Sequence, residues 1–266
     1  MKNCVTIAGS DCSGGAGIQA DIKTFCANGV YAMSVITSVV SENTSRVIDV
    51  FDLPIEVIEK QINAIFEDIR VDAVKIGMVK NTAIINCVAD KLIQYNPPVV
   101  VVDPVMSAKD NHCLMEENTL YTLKKRIFPL TTIVTPNIPE TQVLTGKSIK
   151  NIQDIFNCAK DIYNMGVKNV LIKGGHFDGK PIDVLYDGKS FYKFTSERIH
   201  TKNTHGTGCT LSSAITAYLT RGYTPKNAVL NAKKYIYNAI LNSLEIGKGN
   251  GPLHHFYDYY NMKGFE

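Results

Sequence analysis

No run of apolar residues in this chain approaches the ~20 needed to cross a bilayer. The N-terminus, Met1 to Gly9, holds no apolar stretch long enough for a secretory signal. There is no Cys-x-x-Cys pair. The seven cysteines, at positions 4, 12, 26, 87, 113, 158 and 209, are odd in number and scattered. That spacing offers neither a zinc site nor a disulfide framework, and a reducing cytoplasm is the expected setting. Charge of one sign is missing too: 28 Lys and Arg face 25 Asp and Glu, a formal net charge of +3. A nucleic-acid binder would carry a dominant, clustered basic surface, so neither nucleic acid nor a membrane is expected as a partner. Long Pro/Gly/Ser linkers, low-complexity tracts and internal repeats are absent. What remains is a chain of 266 residues, 45% hydrophobic and 20% charged. It reads as a single globular domain over 1–266 that needs no disulfide staples.

Short β-rich runs alternate with helical periods. Strands are expected at Val5–Ala8, Ser34–Val40, Ala73–Ile76, Val99–Val102, Thr132–Thr135, Val170–Lys173 and Asp183–Tyr186. Several are apolar without alternation, as in strands covered on both faces. Helical stripes follow i, i+3, i+4, i+7 spacing: Ile55 through Ile69, Ile152 through Tyr163, and a shorter one at Ile18, Ile22 and Phe25 that Gly29 should end. A further helix is expected from Pro225 to Leu244. This alternation predicts an α/β fold, a mostly parallel sheet with helices on both faces. A hairpin at Asp187-Gly188 adds an antiparallel edge.

Ligands of such sheets bind beyond the carboxyl ends of the strands. The residues that follow the strands are Gly9-Ser10-Asp11, Ser41-Glu42-Asn43, Gly77-Met78, Asp103-Pro104-Val105-Met106, Pro136-Asn137-Ile138-Pro139-Glu140 and Gly174-Gly175-His176. Small, polar and acidic side chains therefore share one rim.

The strongest local signal is His205-Gly206-Thr207-Gly208-Cys209, which precedes a helix-forming run. Two glycines before a helix can aim several N–H groups at one anion. Cys209 would sit in the first turn, where thiol pKa values fall, and could act as base or nucleophile. An ordinary packing turn with a buried Cys is the plainer alternative. The cluster Ser10 to Gly17 fits the dinucleotide pattern G-x-G-x-x-G poorly, since Ala20 stands where its last Gly belongs; substrate contact and tight backbone both remain open. Gly146-Lys147-Ser148 is not a P-loop, because Thr141 replaces the required Gly; it reads as a helix C-terminal turn. Asn137 and Glu140 are either oxygen ligands for Mg²⁺, joined by Asp103, or the capping box of a helix. Lys173 or one of Lys233 and Lys234 could reach an anion. His254 and His255 lack metal-ligand partners and read as surface or interface residues.

Together the motifs IAGSD, GGAGIQADIKTF, GVYAMSVITSVVSENT, VKIGM, VVDPVM, TPNIPE, LTG, IKGGH, THGTGCTLSSAI and GKGNGPLHH resemble the ribokinase-like kinases. The resemblance is strongest to the hydroxymethylpyrimidine/phosphomethylpyrimidine kinases of thiamine synthesis, and it runs from about Val5 to His255. It implies a three-layer α/β/α fold, ATP and Mg²⁺ as cofactors, and a homodimer. It implies that Gly9, Asp21, Glu42, Met78 and Val105 line a pyrimidine pocket, and that Asp103, Asn137 and Glu140 form the Mg²⁺ and phosphate region. Lys173, Thr204, Gly206, Gly208 and Lys233 would meet ATP. Cys209 would be the base, and the N–H groups of Gly206, Thr207, Gly208 and Cys209 the anion hole. The implied substrates are a pyrimidine alcohol and then its monophosphate.

One position departs from the family pattern. Where the pyrimidine-reading residue is usually Gln, this chain has Glu42. A Gln side chain both donates and accepts, whereas an ionised Glu only accepts. The same resemblance leaves two rivals: a pyridoxal or pyridoxine kinase, and a non-catalytic ligand sensor on the same scaffold. Dedicated pyridoxal enzymes carry a lid cysteine soon after DPVM. Here Ser107, Ala108 and Lys109 follow, and Cys113 lies farther on.

Overall fold

The computed structural model describes residues 1–106, 117–175 and 181–264. His176, Ser107 to Lys109 and Cys113 lie outside the described residues. The chain runs β1 (Asn3–Asp11), α1 (Gly17–Ala27), β2 (Tyr31–Glu42), β3 (Val47–Asp52), α2 (Ile55–Phe66), β4 (Ala73–Ile76), α3 (Thr82–Tyr95) and β5 (Val100–Val102). Next comes α4 (Glu117–Thr122), which widens into a π turn over Leu123–Ile127. Then follow β6 (Ile133–Val134), α5 (Ile138–Thr145), α6 (Ile152–Tyr163), β7 (Val170–Ile172), β8 (Ile182–Tyr186), β9 (Phe191–Thr195), α7 (Thr207–Thr220), α8 (Pro225–Leu241) and α9 (Tyr257–Lys263).

One nine-stranded sheet runs in the order β3-β2-β1-β4-β5-β6-β7-β8-β9. The six strands from β2 to β7 in that order are parallel, and β8 and β9 extend the sheet antiparallel. The opposite edge carries a second antiparallel strand, β3, which the sequence pattern does not predict. Its residues, Val-Ile-Asp-Val-Phe-Asp, are half-exposed at an edge, so neither clean alternation nor an apolar run marks it.

The central strands are short and apolar because both faces are covered. Val100, Val102, Val134, Val170 and Ile172 pack against α2, α3, α5 and α6. Val101, Ile133 and Leu171 face α7 and α8. This gives the three layers expected. The helix stripes at 55–66 and 152–163 become α2 and α6. Ile69 falls beyond α2, and α8 stops at Leu241 rather than Leu244. Gly146 ends α5 at φ +69°, in the left-handed region that favours glycine. No described helix is long and apolar enough to cross a membrane.

The parallel strands all deliver their carboxyl ends to one edge of the sheet. That edge carries the polar residues expected at the rim, and α7 begins there.

Candidate active site

Two glycine loops meet at this edge. Gly206 caps α7 at φ +84°, and a Cβ there would overlap the Gly15 carbonyl. Gly17 opens α1 at φ +54°, and a Cβ there would overlap the Gly9 carbonyl. The two helix N-termini can converge only because both positions lack side chains. Cys209 lies where they meet, and the Gly17 N–H donates to its sulfur. A buried lock joins the loops. Asp11 Oδ1 accepts from Ser13 N, and Oδ2 accepts from Gly15 N, Ala16 N and His205 Nε2, the last at 2.8 Å. Burial would raise the Asp11 pKa, but these donors hold it well below the usual carboxylate range. Asp11, Glu42 and His205 bring ligand-type atoms within 4.8 Å of one another. Asp11 is already saturated by four N–H donors, so the trio acts as a tether rather than a metal cage.

One expected anion-hole member is corrected. The Thr207 N–H is taken by the Thr204 carbonyl at 3.2 Å, and its hydroxyl donates to the same oxygen at 2.6 Å. Thr207 therefore braces the turn. The N–H groups of Gly208 and Cys209, in the first turn of α7, have no intrahelical partner.

A first cavity of about 300 Å³ opens over Cys209. Gly9, Glu42, Met78 and Val105 line it. Asp21 does not. It is fully buried behind the wall, accepting from Thr6 Oγ1, Ser213 Oγ and Lys75 Nζ, the last at 2.9 and 3.0 Å. Lys75 reaches the cavity itself. The Cys209 thiol is also corrected. Burial pushes it up to about 11; Lys75 pulls it down, and Asp21 and Asp103 oppose that pull.

A second cavity of about 460 Å³ lies across α7, between β7, β8 and α8. Lys173, Thr204 and Lys233 all line it. Lys233 is ion-paired to Asp183 at 2.7 Å, and the other oxygen of Asp183 accepts the Gly174 N–H. The two cavities share Asn137, Lys173 and Gly208. Lys173 Nζ stands 2.7 Å from Asp103 Oδ1 and 3.9 Å from Glu140 Oε2. Burial works against the Asp103 carboxylate, but Lys173 and Lys75 keep its pKa low. Burial raises Glu140 to about 7 against the pull of Lys173. Asn137 and Glu140 form a full capping box on α5: Asn137 Oδ1 accepts Glu140 N, and Glu140 Oε2 accepts Asn137 N.

Lys75, Asp183 and the Asp11–His205 lock were not singled out from the sequence. Lys75 had a visible signal: one cation inside the apolar strand Ala73-Val74-Lys75-Ile76. His255 is another correction. It is buried, not superficial, with Nε2 3.0 Å from Thr210 Oγ1. Its place under α7 comes from packing of the C-terminal segment, which local pattern does not reveal.

Two cavities joined at a helix N-terminus, with a cation between them and a sulfur at the floor of one, have the layout of a small-molecule phosphotransferase site. Residues 11–254 match the family model described as phosphomethylpyrimidine kinase. The chain belongs to the phosphomethylpyrimidine kinase family. It is 44% identical over 258 residues to the hydroxymethylpyrimidine/phosphomethylpyrimidine kinase of Bacillus subtilis, covering 96% of this chain and 95% of that one. It is 45% identical over 252 residues to a thiamine biosynthesis bifunctional protein of Geobacter sulfurreducens; the match covers 94% of this chain and 51%, about half, of that longer protein. The crystal structure of phosphomethylpyrimidine kinase from Clostridium difficile superposes with a TM-score of 0.81 at 47% identity, over 90% of this chain and all of that one. An ADP complex of Bacillus subtilis pyridoxal kinase gives a TM-score of 0.90 at 39% identity, over 96% and 97%.

Proposed function

We propose that this chain transfers the γ-phosphoryl group of ATP to the 5-hydroxymethyl group of 4-amino-5-hydroxymethyl-2-methylpyrimidine. In a second turnover it phosphorylates the monophosphate to the diphosphate, for thiamine synthesis. The observation that carries this reading is the pair of cavities meeting at Gly208 and Lys173, with Cys209 facing the first. The pyrimidine occupies the first cavity and ATP the second. Lys173 and the N–H groups of Gly208 and Cys209 bind and stabilise the charge on the moving phosphoryl group, where positioning and electrostatics do most of the catalysis. Lys233, fixed by Asp183, holds the nucleotide. Cys209, as thiolate, takes the alcohol proton; burial makes the thiolate scarce at neutral pH but strongly basic.

The residues present fit Mg²⁺. Asp103 and Glu140 are hard oxygen donors that now face one ammonium, so the place between them already suits a cation. They would hold the metal, which neutralises phosphate charge when bound. The Asn137 oxygen serves as a helix cap instead.

A homodimer fits the apolar side chains left exposed at the β3 edge, Val39, Ile48 and Phe51. The six cysteines among the described residues are all free thiols, which fits the cytoplasm. A comparison of kcat/KM for hydroxymethylpyrimidine, its monophosphate and pyridoxal tests the substrate. The pyrimidine should be preferred. A clear preference for pyridoxal would move the chain to the pyridoxal kinases, its structural neighbours. Absence of any ATP consumption would leave only the sensor.

A further inference from the structure

Lys75 is a fully buried cation at the wall of the first cavity. The strand around it is apolar, and a charge there costs stability that an apolar pair would not. Its position is tightly specified. Both Asp21 oxygens accept from its ammonium. Asp21 is held in turn by Thr6 from β1 and by Ser213, one helical turn beyond Cys209 on α7. A Cβ on Gly77 would come within 2.8 Å of Lys75 Nζ, so the absent side chain makes room for the ammonium at the cavity wall. Strand, helix and loop thus converge to hold one positive charge against the cavity that contains Cys209.

We infer that Lys75, oriented by Asp21, is a positioning residue for phosphotransfer: it is the counter-charge that makes the Cys209 thiolate accessible. Among the described residues, Lys75 from β4, Asp103 beyond β5 and Lys173 beyond β7 line the same cavity as the sulfur, and Asp21 from α1 is bonded to Ser213 on its helix; all four act on it electrostatically. Lys75 acts on the sulfur more strongly than Asp21 does, and in the opposite sense. The two residues are therefore separable by experiment although they are paired. The inference depends on the kinase reading for its effect on turnover, but the charge effect on the thiol can be measured with no substrate present.

The test is site-resolved alkylation of the folded protein by iodoacetamide between pH 7 and 10, read by peptide mass spectrometry. The exposed Cys12 and Cys26 serve as internal references. Lys75→Met should slow Cys209 alkylation at pH 8 about tenfold, the effect of one pKa unit. Asp21→Asn should speed it, and the reference cysteines should not change. Loosening of the fold would speed both variants. Movement of both in one direction, or of neither, overturns the inference. If Lys75→Met does not fold, Asp21→Asn decides: an unchanged or slower Cys209 refutes it. Lys75→Met should also lower kcat with KM for ATP unchanged. Loss of kcat without a change in alkylation would refute the counter-charge role and leave the kinase reading standing. Absence of turnover by the unmodified protein would do the reverse.

Discussion

Replacing Glu42 by Gln tests how the pocket chooses its ring. Glu42 lines the first cavity with its side chain 9% exposed, and Oε2 lies 3.9 Å from His205 Nε2. The Glu42 carboxylate lies at the wall of that cavity, beside the His205–Asp11 pair. A 4-aminopyrimidine presents an N–H donor beside its hydroxymethyl group, whereas pyridoxal presents a carbonyl oxygen there and an ionisable phenol. For the pyrimidine, Glu42→Gln exchanges a charge-assisted hydrogen bond of about 1.5–3 kcal/mol for a neutral one of about 0.5–1.5 kcal/mol. The donor that Gln adds toward the ring offsets that loss, so kcat/KM should stay within about tenfold of wild type. For pyridoxal the change removes a repulsion. Two like charges 4 Å apart interact by about 4 kcal/mol at an effective dielectric constant of 20, and partial solvation leaves about half of that. The ratio of kcat/KM for hydroxymethylpyrimidine to that for pyridoxal should therefore fall at least about tenfold. A coupled ADP-release assay with both substrates on both proteins measures it. An unchanged ratio would refute the selection argument. A loss above about tenfold on the pyrimidine itself would show that the carboxylate is needed for its turnover.

Cys209→Ala should lower kcat by about 10²–10⁴, the range for a positioned base, with ATP affinity by calorimetry nearly unchanged; wild-type turnover would end the base assignment. Because burial raises that thiol to about 11, the competent thiolate grows as pH rises. Chemistry-limited kcat should climb through pH 6–9 in the wild type and lose that slope in Cys209→Ala. Asp183→Asn releases Lys233 and weakens the hold on Gly174, so KM for ATP should rise about tenfold, or about 1.4 kcal/mol, with KM for the pyrimidine unmoved; a fall in kcat alone would contradict this. Burial lowers His255 to about 4, with Lys23 and His254 adding to the effect. The unfolded chain thus binds this proton more readily, and stability present above pH 6.5 is lost as pH falls toward 4. Between pH 7 and pH 5 the loss from this group should be about 2 kcal/mol. Urea unfolding of His255→Gln should show a correspondingly smaller pH effect.

Much of the fold was legible in local pattern. The short apolar strands, the α2 and α6 stripes and the glycine before α7 each express a constraint that neighbouring residues impose on one another. Gly9, Glu42, Met78, Val105 and Lys173 could be placed at one rim because strand ends in a parallel sheet share an edge. The strand β3 was not legible, since an edge strand with one wet face carries no strong period. The helix α3 also escaped, although Asn81 caps it.

Charge state and depth belong to the tertiary structure. The sequence alone determined that a glycine turn would present Cys209 at a helix start, because backbone freedom is a property of the residues themselves. It could not determine that the sulfur would be desolvated enough to raise its pKa, or that Lys75 and Asp21 would be buried beside it. Nor could it show that His205 would tie the two glycine loops together through Asp11, 194 positions away. Desolvation and Coulomb energies depend on which distant groups share a low-dielectric space, and only the folded packing decides that.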